Sequence, residues 1–305
     1  MILFMSWQKS VLLPCFLLLA SCIRGTPDWT QIKTMIKGTL ILFFILIFTV
    51  NVHADLMNGL VGWWKFDEGS GLTAVDSSGQ GHGGDLTGHA PTWTTGFRNE
   101  SLAMSFNGSS QYADYGNLVA YNFERTDTFS GAAWVYCTNI SNLASSIFAK
   151  SAMPNPNRGW VFNLFNRQSL TSVSLALSLV NADVTNIIEV TSPANSITQN
   201  RWYHVAFSYD GSSNAAGVKL YINGVLQTLT VNTNNLSQTM QSTISFTIGA
   251  RDPAAIGQYF PGQIDDARLY SRVLTATEIH DLYLMGMGRV VYGENSVISN
   301  SKTSY

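Results

Sequence analysis

Carboxylates and glycines are densest between Asp67 and Asp85, in the segment DEGSGLTAVDSSGQGHGGD. A loop of this composition can turn its carboxylate and carbonyl oxygens towards a hard cation, and Ca²⁺ takes about six to eight such ligands. The alternative is a solvated turn in which Asp76 accepts hydrogen bonds from backbone N–H groups. The segment is therefore the first candidate site, for calcium or for a hydrogen-bonded turn.

Aromatic residues near the predicted loops offer a second chemistry. Ligand pockets combine aromatic walls with a few polar groups, and the C–H faces of a sugar ring pack on aromatic planes. The candidate platform consists of Trp93, Tyr115, Tyr121, Trp160, Tyr259 and Phe260, with Arg158, Asn163 and Arg251 along a groove. Ordinary packing at the base of a loop is the alternative for each of them. The tryptophans expected in the core by strand alternation are Trp63, Trp64, Trp134 and Trp202.

The sequence shows no catalytic constellation. Glycosidases place two carboxylates on one face of a cleft, whereas Asp265 and Asp266 are adjacent and should point to opposite faces of a strand. The 79–84 segment is glycine-rich like a phosphate loop, but an extended segment follows it where such loops need a helix. His204 lies mid-strand, and Cys137 ends an apolar strand without basic neighbours, so both are expected to be structural. We therefore expect no enzyme.

The composition excludes further classes. Of the 305 residues only 12% are charged, with a net charge of −2, whereas soluble domains average roughly 25% charged residues. These figures argue against a basic nucleic-acid-binding surface and against a highly charged disordered chain. A polar surface with few charges is typical of an extracellular β-protein.

Residues 1–54 are expected to be an export leader. A basic stretch from Met35 is followed by the apolar run TLILFFILIFTV and by small residues before Asp55, the pattern of a signal peptide over 35–54. Residues 1–34 would then be an upstream extension of the reading frame. Two alternatives stay open, an uncleaved membrane anchor and a lipoprotein lipidated at Cys22. All three place the remaining chain outside the cytoplasm, secreted or at the cell envelope, with membrane contact only through the leader or a lipid.

Short strands punctuated by turns are predicted over residues 59–286. Alternating β-branched and aromatic runs predict about eleven strands, at 60–67, 102–115, 128–138, 147–152, 160–165, 173–180, 187–191, 201–209, 218–227, 244–249 and 262–270. Thr275 and Glu278 form a capping box that begins one helix, expected to close the sandwich edge. The pattern predicts one β-sandwich domain over 55–286 and a polar tail over 287–305.

Seven motifs follow one another along these strands. They are GWWKFDEG from Gly62, DSSGQGH from Asp76, FNGSSQY from Phe106, FSGAAWV from Phe129, WYHVAFSYDG from Trp202, LYING from Leu220 and GQIDDARLYSRVL from Gly262. In this order they resemble the laminin G-like jelly-roll domains of the concanavalin A-like lectin/glucanase superfamily. The resemblance implies an all-β, two-sheet antiparallel jelly-roll sandwich with one short C-terminal helix. Departures from the family pattern at Gln80, Asn107 and Asp266-Ala267 weaken any ligand carried over there.

The resemblance also implies a structural calcium ion and a function. The ligands of this calcium ion would be Asp76 and the carbonyls around Gly79, Gln80 and His82. Asp265 or Asp266 from the last strand and Asp67 at the start of the acidic loop would complete the set. Because the superfamily often binds sugars, we expect a secreted, non-catalytic carbohydrate-binding module. Its ligand-binding residues would be Trp93, Tyr115, Tyr121, Arg158, Trp160 and Tyr259. An extracellular adhesion module that binds protein is the alternative, and a glycoside hydrolase relative is the third hypothesis.

Overall fold

The computed structural model describes residues 56–98, 100–139, 144–152, 157–166, 173–182, 185–255 and 257–288. All of them belong to one compact unit, His53–Tyr305. The predicted leader, its cleavage site and the tail beyond Gly288 lie outside the described residues. Within the described ranges, no helix has both the length and the apolar character that crossing a membrane requires.

Seventeen strands lie in the described part of the chain. They are β1 (Leu60–Trp64), β2 (Thr73–Ala74), β3 (Gly84–Asp85), β4 (Thr92–Thr95), β5 (Leu102–Asn107), β6 (Ala113–Asp114), β7 (Phe129–Cys137), β8 (Ala144–Ser151), β9 (Gly159–Phe165), β10 (Ser174–Ala182), β11 (Asn186–Thr191), β12 (Trp202–Tyr209), β13 (Val218–Ile222), β14 (Val225–Leu226), β15 (Thr230–Asn234), β16 (Thr247–Ile248) and β17 (Pro261–Tyr270). One described α-helix, α1 (Ala276–Gly286), follows β17.

The strands form two antiparallel sheets. The first sheet has the order β14-β13-β12-β7-β17-β5-β4, with β1 also paired to β17. The second has the order β15-β11-β10-β9-β8-β16-β6-β3-β2. Neighbours in each sheet come from distant parts of the sequence, as β17 between β7 and β5 illustrates. The predicted all-β jelly-roll sandwich is confirmed.

The core lies between the sheets and follows the period-two pattern. Along β12, the alternate residues Tyr203, Val205, Phe207 and Tyr209 all join the main buried cluster. Trp64 of β1 is fully buried there, and its indole Nε1 donates to the backbone carbonyl of His82 at 2.9 Å. The inward alternation therefore fixes which side of each strand remains for a site.

The four strands that the sequence analysis does not predict are β2, β3, β4 and β15. Strands β2, β4 and β15 lie at sheet edges; β4 and β15 contain no buried residue, and β2 is only two residues long, with Ala74 buried. The strand β3 is only two residues long and is paired to β2. Exposed or very short strands carry little hydrophobic alternation, which is the signal that sequence analysis uses.

Helix α1 begins where its capping box predicts, and it lies beside the edge strand β14 as well as on the outward face of the first sheet. The Thr275 side chain accepts from the Glu278 N–H, and the Glu278 side chain accepts from the Thr275 N–H. The helix residues Ile279 and Leu282 form a second buried cluster with outward-facing residues of β7, β12 and β13, among them Ala132, Ala206 and Tyr221. The helix thus covers the outward face of the first sheet, because that face is itself apolar.

Candidate functional site

The carboxylate of Asp76 is held by four hydrogen bonds from the protein. Its Oδ1 accepts from the Trp63 N–H at 3.0 Å and from the Ser78 N–H at 2.8 Å. Its Oδ2 accepts from the Ser78 hydroxyl at 2.7 Å and from the His82 N–H at 2.9 Å. Burial alone would raise the pKa of Asp76, but these hydrogen bonds outweigh it and hold the pKa below the ordinary value.

These contacts leave the predicted calcium ligands little to offer an ion. A carboxylate presents about four lone-pair positions, and Asp76 uses that number for protein donors. The His82 carbonyl accepts from Trp64. Among the residues that the structure describes, no three His, Cys, Asp or Glu side chains are grouped so that they could hold a metal ion. As arranged, the donor set does not fit calcium unless these bonds break, and the calcium site stays a prediction.

The predicted ligands Asp265 and Asp266 lie elsewhere, at an irregularity in β17. The pairing of β17 with β7 shifts register between Asp265 and Arg268, and Asp266 has a φ of 48°. Ile264 and Ala267 face the core on either side of the two aspartates. The extra residue of this bulge turns both carboxylates to the same outward pocket, so the expectation that they diverge is wrong.

That pocket lies on the outward face of the first sheet and has a volume of about 270 Å³. Its walls come from β1, β7, β17, the β4–β5 turn and the end of α1. The lining residues are Trp63, Lys65, Asp67, Phe97, Arg98, Ser101, Trp134, Asp265, Asp266, Arg268, Met285 and Gly286. Of the predicted metal ligands, Asp67, Asp265 and Asp266 line it, whereas Asp76, Gly79, Gln80 and His82 do not.

Trp63 is the central aromatic residue of the pocket and is held by charged groups. The Lys65 Nζ lies 4.3 Å from its ring centroid, and the Arg268 guanidinium carbon lies 4.2 Å from it. Its indole N–H donates to Asp266, which also forms an ion pair with Arg268 at 3.1 Å. Cation–π contacts and the ion pair therefore fix this indole at the pocket wall.

Asp265 is the buried acid of the pocket, with 5% of its surface exposed. Its Oδ2 accepts from the Phe97 N–H at 3.0 Å and from the Ser101 hydroxyl at 3.3 Å. Burial, with smaller contributions from the charges of Asp266 and Asp67, raises the pKa of Asp265 to about 7 in spite of these bonds. Two donors are too few to offset the loss of water around this group.

Two stacked rings and a helix end complete the wall. Phe97 stacks on Trp134 with ring centroids 3.6 Å apart and an interplanar angle of 12°. The indole N–H of Trp134 is buried and has no hydrogen-bond partner. A Cβ on Gly286 would lie 2.2 Å from that indole nitrogen, so glycine lets the end of α1 approach Trp134 closely. The pocket therefore depends on the docking of the helix.

Three residues of the predicted sugar platform are core residues instead. Tyr115, Tyr121 and Trp160 have 4%, 0% and 1% of their surface exposed, and all belong to the main core cluster. The Trp160 indole donates to the Tyr121 backbone carbonyl at 3.1 Å. Their assignment as ligand-binding residues is wrong, because the rings pack between the sheets beside Phe246.

The other members of the predicted platform and groove do not join the pocket either. Trp93, half-buried on β4, packs partly against the core, and Tyr259 donates its hydroxyl hydrogen to the Pro253 carbonyl at 3.1 Å. Arg158 is half-buried, with its Nε enclosed. The last platform residue, Phe260, and the groove residues Asn163 and Arg251 are buried. The structure thus distributes the predicted platform over several places.

His204 and Cys137, expected to be structural, are both buried. Burial, reinforced by the charge of Arg268, lowers the pKa of His204 to about 3, so its ring is neutral at ordinary pH. Burial raises the pKa of the Cys137 thiol to about 11. Neither group is ionised near neutral pH, and neither lines the pocket.

Trp63 and Trp134, expected in the core by alternation, face the pocket instead. The lining residues not predicted to belong to a site are Phe97, Arg98 and Ser101. The turn that carries Phe97 has no motif that distinguishes it from other turns. A signal did exist for Trp63, since the adjacent Trp63 and Trp64 must point to opposite faces of β1. Trp64 is fully buried in the core and Trp63 is half-buried on the other side.

A family model described as the concanavalin A-like lectin/glucanases superfamily, of laminin G type, matches residues 107–280. The match covers more than half of the chain and runs from the end of β5 into α1. It includes Trp134, Asp265 and Arg268 of the pocket but not Trp63 or Phe97. A search of curated proteins gave no match.

Solved structures of binding domains share the fold. The binding domain of Paraclostridial mosquitocidal protein 1 has a TM-score of 0.55 and 15% identity, with coverage of 77% of this chain and 54% of that one. The binding domain of botulinum neurotoxin serotype C1 has a TM-score of 0.52 and 15% identity, with coverage of 75% and 52%. Domain 4 of AbnA, a GH43 extracellular arabinanase from Geobacillus stearothermophilus, solved with arabinotriose, has a TM-score of 0.50 and 21% identity, with coverage of 73% and 98%. This chain spans about half the length of the toxin structures and nearly all of the arabinanase domain.

Proposed function

Because this chain belongs to the laminin G-like family of the concanavalin A-like lectin/glucanases superfamily, we propose that it is a non-catalytic module that binds carbohydrate in the pocket beside Trp63. The observation that carries the proposal is the mixture of groups in that pocket. Rings of Trp63, Phe97 and Trp134 line the same space as carboxylates, a hydroxyl and cationic side chains. Apolar walls with a few polar groups are what a small ligand pocket needs.

The size and rigidity of the pocket suit one sugar residue. Ligand sites for drug-sized molecules start at roughly 300 Å³, so about 270 Å³ suits a single terminal or branching residue of a glycan. Phe97 is held against Trp134, and Trp63 is held by Arg268. Rings fixed before binding lose little conformational entropy when a ligand arrives.

The similar structures support a binding role by analogy of fold. The AbnA domain was solved with arabinotriose, and the two toxin structures are described as binding domains. At 15–21% identity such likeness carries the architecture only, so the ligand of this chain must be argued from its own pocket.

Export is part of the proposal, since a glycan-binding module acts on surfaces outside the cytoplasm. The leader predicted over residues 1–54 supports it. N-terminal sequencing of the protein recovered from the host's medium or envelope tests it. We expect the sequence to begin at Asp55, and recovery of intact chain from the cytoplasm alone would contradict export.

Hydrolysis is the second candidate function, and the bulge in β17 favours it. The bulge places Asp265, whose pKa burial raises to about 7, in one pocket with Asp266 and Asp67, and glycosidases use two carboxyl groups in one cleft, the general acid having a raised pKa. However, Asp266 is paired to Arg268 and bonded by Trp63, which occupies the carboxylate that would act as nucleophile or base. We expect no release of reducing ends from oligosaccharides incubated with the protein.

A glycan array with the full chain and two variants tests the proposed function. We expect binding by the native protein, a loss of about tenfold or more for Phe97→Ala, and native binding for Tyr259→Ala. Tyr259 is the matched control because it is a partly exposed aromatic residue outside the pocket. An array without signal would overturn the proposal, and a Phe97-dependent protein partner in pull-downs would then support the adhesion hypothesis.

A further inference from the structure

Most of the pocket's carboxylate oxygens already accept from protein donors. Asp266 accepts three bonds from the Arg268 guanidinium at 3.1–3.2 Å, and Trp63 donates to it as well. One oxygen of Asp265 accepts from Phe97 and Ser101. One oxygen of Asp67 accepts from the Leu102 N–H at 2.9 Å. Protein donors therefore already occupy most of the carboxylate oxygens that a ligand could otherwise bind.

Two of the pocket's cationic side chains, in contrast to its carboxylates, have no partner of opposite charge. Lys65, directly after β1, and Arg98, in the β4–β5 turn, line the pocket, and neither has an ion-pair partner among the described residues. Among the described residues Lys65 has a cation–π contact with Trp63 and no carboxylate partner, whereas Arg268 is paired with Asp266 through Nε and Nη2. The two unpaired cations are therefore free to meet an anion.

A third donor without a partner lies in the pocket wall, beside the end of α1. Trp134 has 2% of its surface exposed, and its indole N–H is buried without a partner at the pocket wall. A buried polar group without a partner in a native protein calls for an explanation, such as a ligand or water atom that completes it. The side-chain donors that lack a partner here are thus an indole N–H and two cationic groups, and the acceptors left over are the second oxygens of Asp265 and Asp67.

We propose that the pocket takes an acidic saccharide, whose carboxylate is received by Lys65 and Arg98 while its ring packs beside Phe97. The inference rests on the proposed glycan-binding function and narrows its ligand class to sugars that carry a carboxylate, such as uronic acids. A neutral sugar would supply hydroxyls that both donate and accept, and it would leave both cations unpaired. A carboxylate supplies acceptors only, which matches the unused donors.

Calorimetric titration of the full chain with matched sugars tests the inference. The ligands are glucuronic acid and glucose, and galacturonic acid and galactose, because each pair differs only in carboxylate against hydroxymethyl. We expect the acid of at least one pair to bind about tenfold or more tightly than its neutral partner. The preference should weaken as salt rises from 50 to 500 mM, since exposed charge pairs are screened.

Variants assign the preference to the two cations. Lys65→Gln and Arg98→Gln should each reduce the acid-over-neutral preference by about fivefold or more, whereas Lys65→Arg should retain it. Lys219→Gln is the matched control, since Lys219 is an exposed cation of β13 outside the pocket. Unchanged melting temperatures show that the variants are folded.

The outcomes separate the inference from the function on which it rests. Equal affinity for the acid and its neutral partner would overturn the inference and leave glycan binding standing. A preference that survives in the double variant Lys65→Gln/Arg98→Gln would overturn it too. Binding of no saccharide, here and on the array, would overturn both.

Discussion

Asp76 and Asp265 are both partly or fully buried aspartates in regions first predicted to hold one calcium ion, yet their environments act in opposite directions. Asp76 receives four hydrogen bonds, and its pKa lies below the ordinary value. Asp265 receives two and is more deeply buried, and its pKa rises to about 7. Hydrogen-bond donors favour the ionised carboxylate, and the loss of surrounding water disfavours it. The larger of these two effects decides whether the ionised group stabilises the fold.

The contrast explains why the described pocket lies at Asp265 and not at Asp76. At Asp76, N–H groups of the backbone and the Ser78 hydroxyl bond to both carboxylate oxygens, so the carboxylate has no lone pair left for a ligand. At Asp265 the bulge adds a second outward carboxylate, and the surrounding rings and cations keep a space open. An acidic, glycine-rich sequence is therefore no guide to a ligand site until the hydrogen bonds are counted.

The largest expected effect is the loss of the Asp76 carboxylate. Asp76→Ala leaves the N–H groups of Trp63 and His82 without acceptors, and we expect the free energy of unfolding to fall by about 3 kcal/mol, measured by urea denaturation. Because the folded pKa of Asp76 is lowered, its stabilisation exists above the ordinary value of 3.8 and is lost as pH falls below it. Asp85→Ala is the control, because Asp85 is exposed at the end of β3 and accepts only from Thr87, and it should lose much less stability than Asp76→Ala. Equal stability of the two variants would contradict the comparison.

The next largest effect concerns the ion pair at the pocket. Asp266→Asn leaves the buried Arg268 guanidinium without its counter-charge, and asparagine tolerates the positive φ at this position. We expect a loss of about 2 kcal/mol in urea denaturation, less than for a fully buried pair because Asp266 is 26% exposed. The double variant Asp266→Asn/Arg268→Met should recover part of that loss. No recovery would mean that the bulge, and not the charge, was disturbed.

Asp265→Asn should raise the free energy of unfolding, whereas the change at Asp76 lowers it. Its folded pKa of about 7 lies above the ordinary 3.8, so the unfolded chain releases the proton first and native stability falls as pH rises between these values. Removing the ionisable group should therefore raise the free energy of unfolding by about 1 to 2 kcal/mol at pH 8 and hardly at all at pH 4. Asp76→Asn, measured beside it, should destabilise at pH 8. If Asp265→Asn were less stable than the native protein at pH 8, the opposite roles inferred for Asp265 and Asp76 would be contradicted.

The smallest expected effect is that of chelation. With its lone pairs occupied by protein donors, Asp76 should hold its loop without an ion, so EDTA should leave the melting temperature unchanged. A ligand of the folded state must stabilise by linkage. A melting temperature that falls with EDTA and returns with added Ca²⁺ would establish the calcium site that the sequence predicts and show that the loop rearranges around the ion.

Local patterns made most of the fold predictable. The inward face of β12 follows from alternation along Trp202–Tyr209, and the start of α1 follows from Thr275 and Glu278, because both depend on residues within a few positions of each other. The site was not predictable in this way. Phe97 and Trp134 are 37 positions apart in the sequence and meet only because β4, β5, β17 and β7 are neighbours in one sheet.

The sequence by itself determined the class of the fold, the core face of the central strands, the capped helix and the acidic loop at Asp76. Each of these depends on periodicity or spacing along the chain. Only the tertiary structure decided that Asp265 and Asp266 share a face, that Tyr115, Tyr121 and Trp160 are core, and that Trp63 opens on a pocket. A bulge reverses the alternation of a strand by one residue, and strand pairing alone sets its position.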